Sequence, residues 1–203
     1  MLYRICGVWQ LVDQEKIHTQ CLSDNPKNRI EALWQLRNEF SQLPDKDEAW
    51  NDLHILINDE DRSVRYRAAD ALRYVFSYVL DKQRAWNDLH RLINDEFWDV
   101  RSIAAYTLSY VFSQVPDKTE AWNDLHELIN DEDRSIRCNA APAFRFVFSQ
   151  IPDKQKVWED FLRLTYDEDV SVRSGAGFAL GFEFSAMPDK QEAWNVLHSV
   201  ATI

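Results

Sequence analysis

The side chains of this sequence that could bind a metal or move a proton fall into columns. All five histidines, His18, His54, His90, His126 and His198, are separated by multiples of 36 residues, with Leu162 in the remaining place. A metal array is the chemistry such a column suggests. It fails on distance: packed helices lie about 8–10 Å apart, whereas zinc holds nitrogen ligands at about 2 Å, so successive histidines should not share an ion. A second column sets Asp59, Asp95, Asp131 and Asp167 six residues before Arg65, Arg101, Arg137 and Arg173. A pair repeated in unit after unit serves what those units share, which argues against one catalytic event. The three cysteines, at 6, 21 and 138, have spacings that give neither a disulfide framework nor a metal motif, and they point to a reducing compartment.

The columns exist because the chain repeats. Segments PDKDEAWNDLH at Pro44, LDKQRAWNDLH at Leu80, PDKTEAWNDLH at Pro116, PDKQKVWEDFL at Pro152 and PDKQEAWNVLH at Pro188 start 36 residues apart. RIEALWQLRNEFSQL from Arg29 aligns with RYRAADALRYVFSYV from Arg65 in the same register. The units are about 8–43, 44–79, 80–115, 116–151 and 152–187, with a final capping helix over 188–203, all within one repeat domain over 1–203. Inside the unit from Pro44 to Val79, Asp45 can cap a first helix whose apolar face is Trp50, Leu53, Leu56 and Ile57. Asn58 to Asp61 break that pattern, and Val64, Ala68, Ala71, Leu72, Val75, Phe76 and Val79 form the stripe of a second helix. No strand is indicated. A helical hairpin cannot bury such a face alone, so neighbours must stack on it. The expected fold is all-α: a right-handed α-solenoid (superhelix) of stacked antiparallel helix pairs.

Composition narrows the function. The chain has 203 residues, 45% of them hydrophobic, and a formal net charge of −11, the opposite sign to a protein that coats nucleic acid. No apolar run approaches the roughly 18–20 residues needed to span a bilayer. The first residues, interrupted by Gln10 and lacking a small-residue cleavage site, make a poor signal peptide. A cytoplasmic protein with no nucleic-acid or membrane partner is expected.

The stretch Asp59-Glu-Asp-Arg-Ser-Val-Arg65-Tyr-Arg-Ala-Ala-Asp-Ala-Leu72 returns as DEFWDVRSIAAYTL at Asp95, DEDRSIRCNAAPAF at Asp131 and DEDVSVRSGAGFAL at Asp167, and in degraded form from Asp24 to Leu33. It resembles the HEAT-like repeat in its short, phycobilisome-lyase-type form, of the armadillo-type class of helical repeats. Trp50 and Leu53 have tetratricopeptide spacing, but His54 and Ile57 do not continue that motif. The resemblance implies that the Asp and Arg columns satisfy loop backbone groups and bridge adjacent units, and that second helices line a concave groove. HEAT-like deoxyhypusine hydroxylases use several His-Glu dipeptides for iron; this chain has one, His126-Glu127. No cofactor or metal is expected.

Positions kept in every unit serve stacking. Trp50, Trp86, Trp122, Trp158 and Trp194 form one such column, and Phe40, Phe76, Phe112, Phe148 and Phe184 another. Each buried aromatic removes about 150–250 Å² from water. Positions that vary are the candidates for recognition. Phe97 and Trp98 replace polar turn residues of the sibling units, either as interface anchors or as local packing. The second helices carry Asp70, Tyr106, Pro142 and Phe178 in one column and Tyr74, Tyr110, Phe146 and Phe182 one turn on. This band is either a groove lining or a second edge of the core. Pro142 should kink its helix, and Gly175, Gly177 and Gly181 suggest close approach of another chain or plain drift of an end repeat. The function expected is a non-enzymatic scaffold, monomeric or weakly self-associating, that binds a protein or peptide through Phe97, Trp98, Tyr74, Tyr106, Tyr110, Phe146, Phe178 and Phe182. Alternatives are a bilin-lyase-like or small-ligand carrier using the aromatic groove with Cys138 nearby and, against the charge, a DNA-binding alkylpurine-glycosylase-like protein.

Overall fold

The computed structural model describes residues 2–5, 8–151, 153–186 and 189–201; Cys6 and the Phe148 side chain lie outside the described parts. The chain opens on a hairpin that departs from the strand-free expectation. Strands β1 (Leu2–Ile5) and β2 (Val8–Leu11) pair antiparallel, Leu2 opposite Leu11 and Ile5 opposite Val8. This segment runs up to and into the start of the first unit and holds Tyr3, Ile5, Val8 and Trp9, β-branched and aromatic residues that favour extended backbone.

Helices then follow as first and second members of each repeat: α1 (Gln14–Cys21) and α2 (Pro26–Glu39), α3 (Lys46–Ile57) and α4 (Arg62–Val75), α5 (Lys82–Ile93) and α6 (Trp98–Val111). After these come α7 (Lys118–Leu128) with α8 (Arg134–Ala140) and α9 (Phe144–Gln150), then α10 (Lys154–Thr165) with α11 (Val170–Glu183), and last α12 (Lys190–Ala201). The chain divides into two compact units, residues 1–92 and 93–203. In the first, α1 packs on α2 and α3, and α4 packs on α2 and α3. In the second, α8 packs on α6 and α7, and α11 packs on α8, α9, α10 and α12.

Aspartates start the helices. Asp45 accepts from the amides of Asp47 and Glu48, Asp117 from those of Thr119 and Glu120, and Asp61, Asp133 and Asp169 each from the serine amide two residues on. Phe97 stands where these caps stand and offers no side-chain acceptor; Asp99 instead accepts from the Val100 amide at 3.1 Å. At the other end, Phe40, Phe76 and Phe112 each close a second helix and open a single 3-10 turn. The lysine of the following Asp-Lys pair then finishes that turn: Lys82 donates to the carbonyls of Phe76 and Val79, and Lys118 to that of Val115. Partial burial lowers the pKa of both lysines.

The repeated aromatics form the core. Trp50, Trp86, Trp122 and Trp158 are at most 4% exposed, and Phe40, Phe76 and Phe112 are buried. The end of the series departs from the expected core column: Phe184 is half-buried and Trp194 is 61% exposed. Helix α12 packs on α10 and α11, and the Trp194 ring stands on the side they leave uncovered.

Two irregularities in the second unit have local causes. Pro142 lacks an amide proton and its ring clashes with the preceding turn, so the second helix stops at Ala140, makes a 3-10 turn over Ala141–Ala143 and restarts at Phe144. Gly175 faces that break: a Cβ there would stand 3.4 Å from the Ala141 Cβ and 3.9 Å from Pro142 Cδ. The close approach expected from another chain is thus made by this chain itself. Gly181 faces open space.

Candidate partner-binding surface

The repeated polar columns link successive repeats. Arg29 donates from Nη1 to the carbonyls of Ser23 and Asp24 in its own loop and reaches the Asp59 carboxylate at 2.6 Å. Arg137 does the same with the carbonyls of Asp131 and Glu132, and binds Asp167 in a fork at 2.8 and 3.0 Å. Arg101 lies 3.4 Å from Asp131. Each arginine therefore closes its own loop through backbone and pairs with the aspartate 30 residues ahead, as the HEAT-like resemblance implies. Burial opposes the Asp167 charge, but bonds from Arg137 and the Asp169 amide outweigh it and hold the carboxyl below its ordinary range.

The histidine column has a partner that the sequence comparison missed. His18 Nδ1 lies 2.7 Å from Asp52, His54 Nδ1 2.8 Å from Asp88 and His126 Nδ1 2.6 Å from Asp160. Each reaches the aspartate 34 residues ahead, and those carboxylates are almost wholly buried. Burial raises the pKa of Asp52 and Asp88, and the bond to Asp52 raises that of His18. The column is there to satisfy buried carboxylates. Where Leu162 interrupts it, the residue 34 places on is Val196 rather than aspartate; that joint loss is the signal that would have found the pairing. Among the described residues, no group of three or more His, Cys, Asp or Glu could hold a metal ion.

The variable aromatics, by contrast, face solvent. Tyr74 on α4 is 38% exposed, Tyr110 on α6 is 41%, and Phe178 and Phe182 on α11 are 57% and 63%; Tyr106 and Phe146 are half-buried. Four of these six side chains are exposed, and two are half-buried. In the second unit Tyr106 and Tyr110 meet edge to face at 5.0 Å with their hydroxyls 3.0 Å apart. The Arg145 guanidinium lies over the rings of Tyr110, at 5.5 Å, and Phe146, at 4.4 Å, and joins them. Phe178 and Phe182 form a second edge-to-face pair at 4.9 Å. Trp98, 51% exposed, and half-buried Phe97 stand at the first turn of α6, about 12 Å along the helix axis from Tyr106, so they are a separate feature. In the first unit Tyr74 is held between two guanidinium groups, Arg37 at 4.1 Å and Arg73 at 4.2 Å, both of which pair with Asp70.

Three exposed aromatics, Trp34, Tyr78 and Tyr166, escaped the sequence comparison. Trp34, 56% exposed on α2, occupies the Asp70/Tyr106/Pro142/Phe178 column one repeat earlier. Extending the register back by one unit would have found it. With Ile30 and Leu33 on α2 and Arg67 on α4 it lines a concavity of about 260 Å³. Cys138 lies in a polar hollow with Arg134 and Asp169. Burial, and then the Asp169 charge, raise its pKa, and a thiol held protonated is a poor nucleophile.

No protein-family description matches the chain. No curated protein matches it. Solved structures do. A designed armadillo repeat protein in complex with the peptide (KR)4 superposes with a TM-score of 0.65 at 20% identity, covering 92% of this chain and 87% of that one. The fold is an armadillo- and HEAT-type helical repeat. A computationally designed armadillo repeat protein for modular peptide recognition gives 0.63 at 19% identity, over 94% of this chain and 89% of that one. Cex1p gives 0.65 at 13% identity, over 92% of this chain and 36% of its own. Among the described residues, no helix is long and apolar enough to cross a membrane.

Proposed function

We propose that this chain is a non-enzymatic, cytoplasmic scaffold that binds a partner protein or peptide through the unrepeated aromatics of its second helices, with Phe97 and Trp98 as a separate anchor. The observation that carries this reading is the edge-to-face, water-facing Phe178–Phe182 pair, 57% and 63% exposed, in a chain where Trp50, Trp86, Trp122 and Trp158 of the repeated column are buried. Neither position is constant across the units: one column reads Trp34, Asp70, Tyr106, Pro142 and Phe178, the other Asn38, Tyr74, Tyr110, Phe146 and Phe182. Large aromatics left on a surface are what interface anchors consist of. The structural neighbour solved with (KR)4 lends support to peptide binding as a use of this kind of fold.

The test compares proteins retained from native extract by the immobilised wild type and by Phe178→Ala/Phe182→Ala. The expected result is a specific protein held by the wild type and reduced about tenfold by the variant, with the variant's circular dichroism unchanged. Identical retention by both proteins would overturn the proposal.

A further inference from the structure

One column of arginines meets different surroundings in the two units. Arg37 and Arg73 of the first unit, 36 residues apart, both hold a guanidinium on the Tyr74 ring and both pair with Asp70, at 3.0 and 3.2 Å. That carboxylate stands 33 residues after the one arginine and three before the other. Ser109, Arg145 and Gly181 continue the column in the second unit. Arg145 keeps the aromatic half of the arrangement, with its half-buried guanidinium over the rings of Tyr110 at 5.5 Å and Phe146 at 4.4 Å. The carboxylate half is missing, because Pro142 stands three residues before Arg145 and Phe178 stands 33 after it. Its Nε is buried without a hydrogen-bond partner, and among the described residues no carboxylate pairs with it.

The acids of the surrounding elements are placed elsewhere. The second helices of this unit, α6, α8 with α9, and α11, carry two acidic residues, Asp99 and Glu183. Asp99 lies in the first turn of α6, about 16 Å along the helix axis from Tyr110. Glu183 occupies the column of Val75, Val111 and Val147, two places on from that of Gly181 and so about 200° round the helix. In the loops that follow the second helices, Asp117 caps α7 and Asp153 caps α10. Of the other arginines, Arg134 pairs with Asp169, Arg137 with Asp167, and Arg173 donates to loop carbonyls. We propose that Arg145 takes a carboxylate from a partner segment, an Asp or Glu side chain filling the role that Asp70 has in the first unit, with a nearby apolar side chain of that segment on the Phe178–Phe182 pair. The inference rests on the scaffold reading and names its partner's chemistry. Helix α11 packs on α9, and packed helices lie about 8–10 Å apart. An extended segment advancing about 3.3 Å per residue spans that distance in about three residues. A guanidinium withdrawn from water beside two rings binds a carboxylate through paired donors at short range, whereas the net −11 of the chain repels an acidic segment at long range.

The probe is a fluorescein-labelled peptide repeating Glu-Ser-Phe-Ser, titrated by fluorescence polarisation with the full chain beside Gln-Ser-Phe-Ser and Lys-Ser-Phe-Ser repeats. The expected result is saturable binding of the glutamate repeat, about tenfold tighter than the glutamine repeat and brought down to the glutamine level by Arg145→Gln. Arg145 supports two rings, so a pair of variants at exposed Phe178 gives a test that leaves it in place. Phe178→Asp supplies a carboxylate from within the chain, 33 residues after Arg145 as Asp70 is after Arg37. It should weaken the glutamate repeat about fivefold more than Phe178→Asn does. Circular dichroism checks the fold of all three variants. No binding of the glutamate repeat, equal binding of the glutamine repeat, preference for the lysine repeat, or equal effects of Phe178→Asp and Phe178→Asn would each overturn the inference. If glutamate and glutamine repeats bind alike and both are lost in Phe178→Ala/Phe182→Ala, the scaffold reading stands and the role of Arg145 falls.

Discussion

Asp52 is 1% exposed and accepts a hydrogen bond from His18 at 2.7 Å, so folding takes a carboxylate out of water and returns a charge-assisted bond. Removing the donor alone leaves the acceptor buried and unmatched, which costs more than the bond itself contributes. We expect His18→Leu to lower unfolding free energy by about 1–3 kcal/mol. The double variant His18→Leu/Asp52→Val, which copies the Leu162 and Val196 pairing, should return to within about 1 kcal/mol of wild type. Urea unfolding of the parent, both single variants and the double variant measures this. The pH dependence follows from the same bond. His18 has a folded pKa above its ordinary 6.5, so its contribution is complete below the ordinary value and is lost as pH rises through the folded one. Asp52, raised by burial from 3.8, acts in the same direction: its contribution is present below 3.8 and lost as pH climbs through its folded value. Wild type should therefore lose stability relative to the double variant as pH rises above 3.8 through the raised Asp52 pKa and above 6.5 through the raised His18 pKa.

At the scale of the helix, the second unit shows where local sequence and tertiary packing diverge. Glycine in a helix interior costs up to about 1 kcal/mol relative to alanine. Gly181 meets nothing within 4 Å of a built Cβ, whereas Gly175 would meet the Ala141 Cβ at 3.4 Å. Gly181→Ala should therefore stabilise by roughly 0.5–1 kcal/mol, and Gly175→Ala should gain less, as read from thermal midpoints. The helices, their aspartate caps and the break at Pro142 were all legible in the sequence, because period, cap chemistry and a missing amide act within one turn. The β1–β2 hairpin was not, since residues 2–7 precede the first unit and Val8–Leu11 share no residue with Pro44–Asp47 one repeat on. The direction faced by Tyr110, Phe178 and Phe182 was not legible either. Helical arithmetic fixes the angle of a side chain about its own axis, but not whether a neighbouring helix covers that angle.

Across the whole molecule, charge is sorted by element. Among the described residues, segments outside helices and strands hold eighteen of the 34 acidic residues and no lysine or arginine. Those acids cap helices and pair with the arginine column, so the net −11 reports chiefly on how repeats are closed and joined. Charge is thus unevenly spread along the chain, and helices α2 and α4, counting buried Arg29 and Arg65, are net basic. What remains for recognition is the set of side chains that no repeat shares. A photo-crosslinking residue placed at Phe178, and separately at Asn123 on the exposed side of first helix α7, tests that division directly in native extract. The account predicts that one partner segment is captured from position 178 and not from position 123. Equal capture from both positions, or none from position 178, would contradict it.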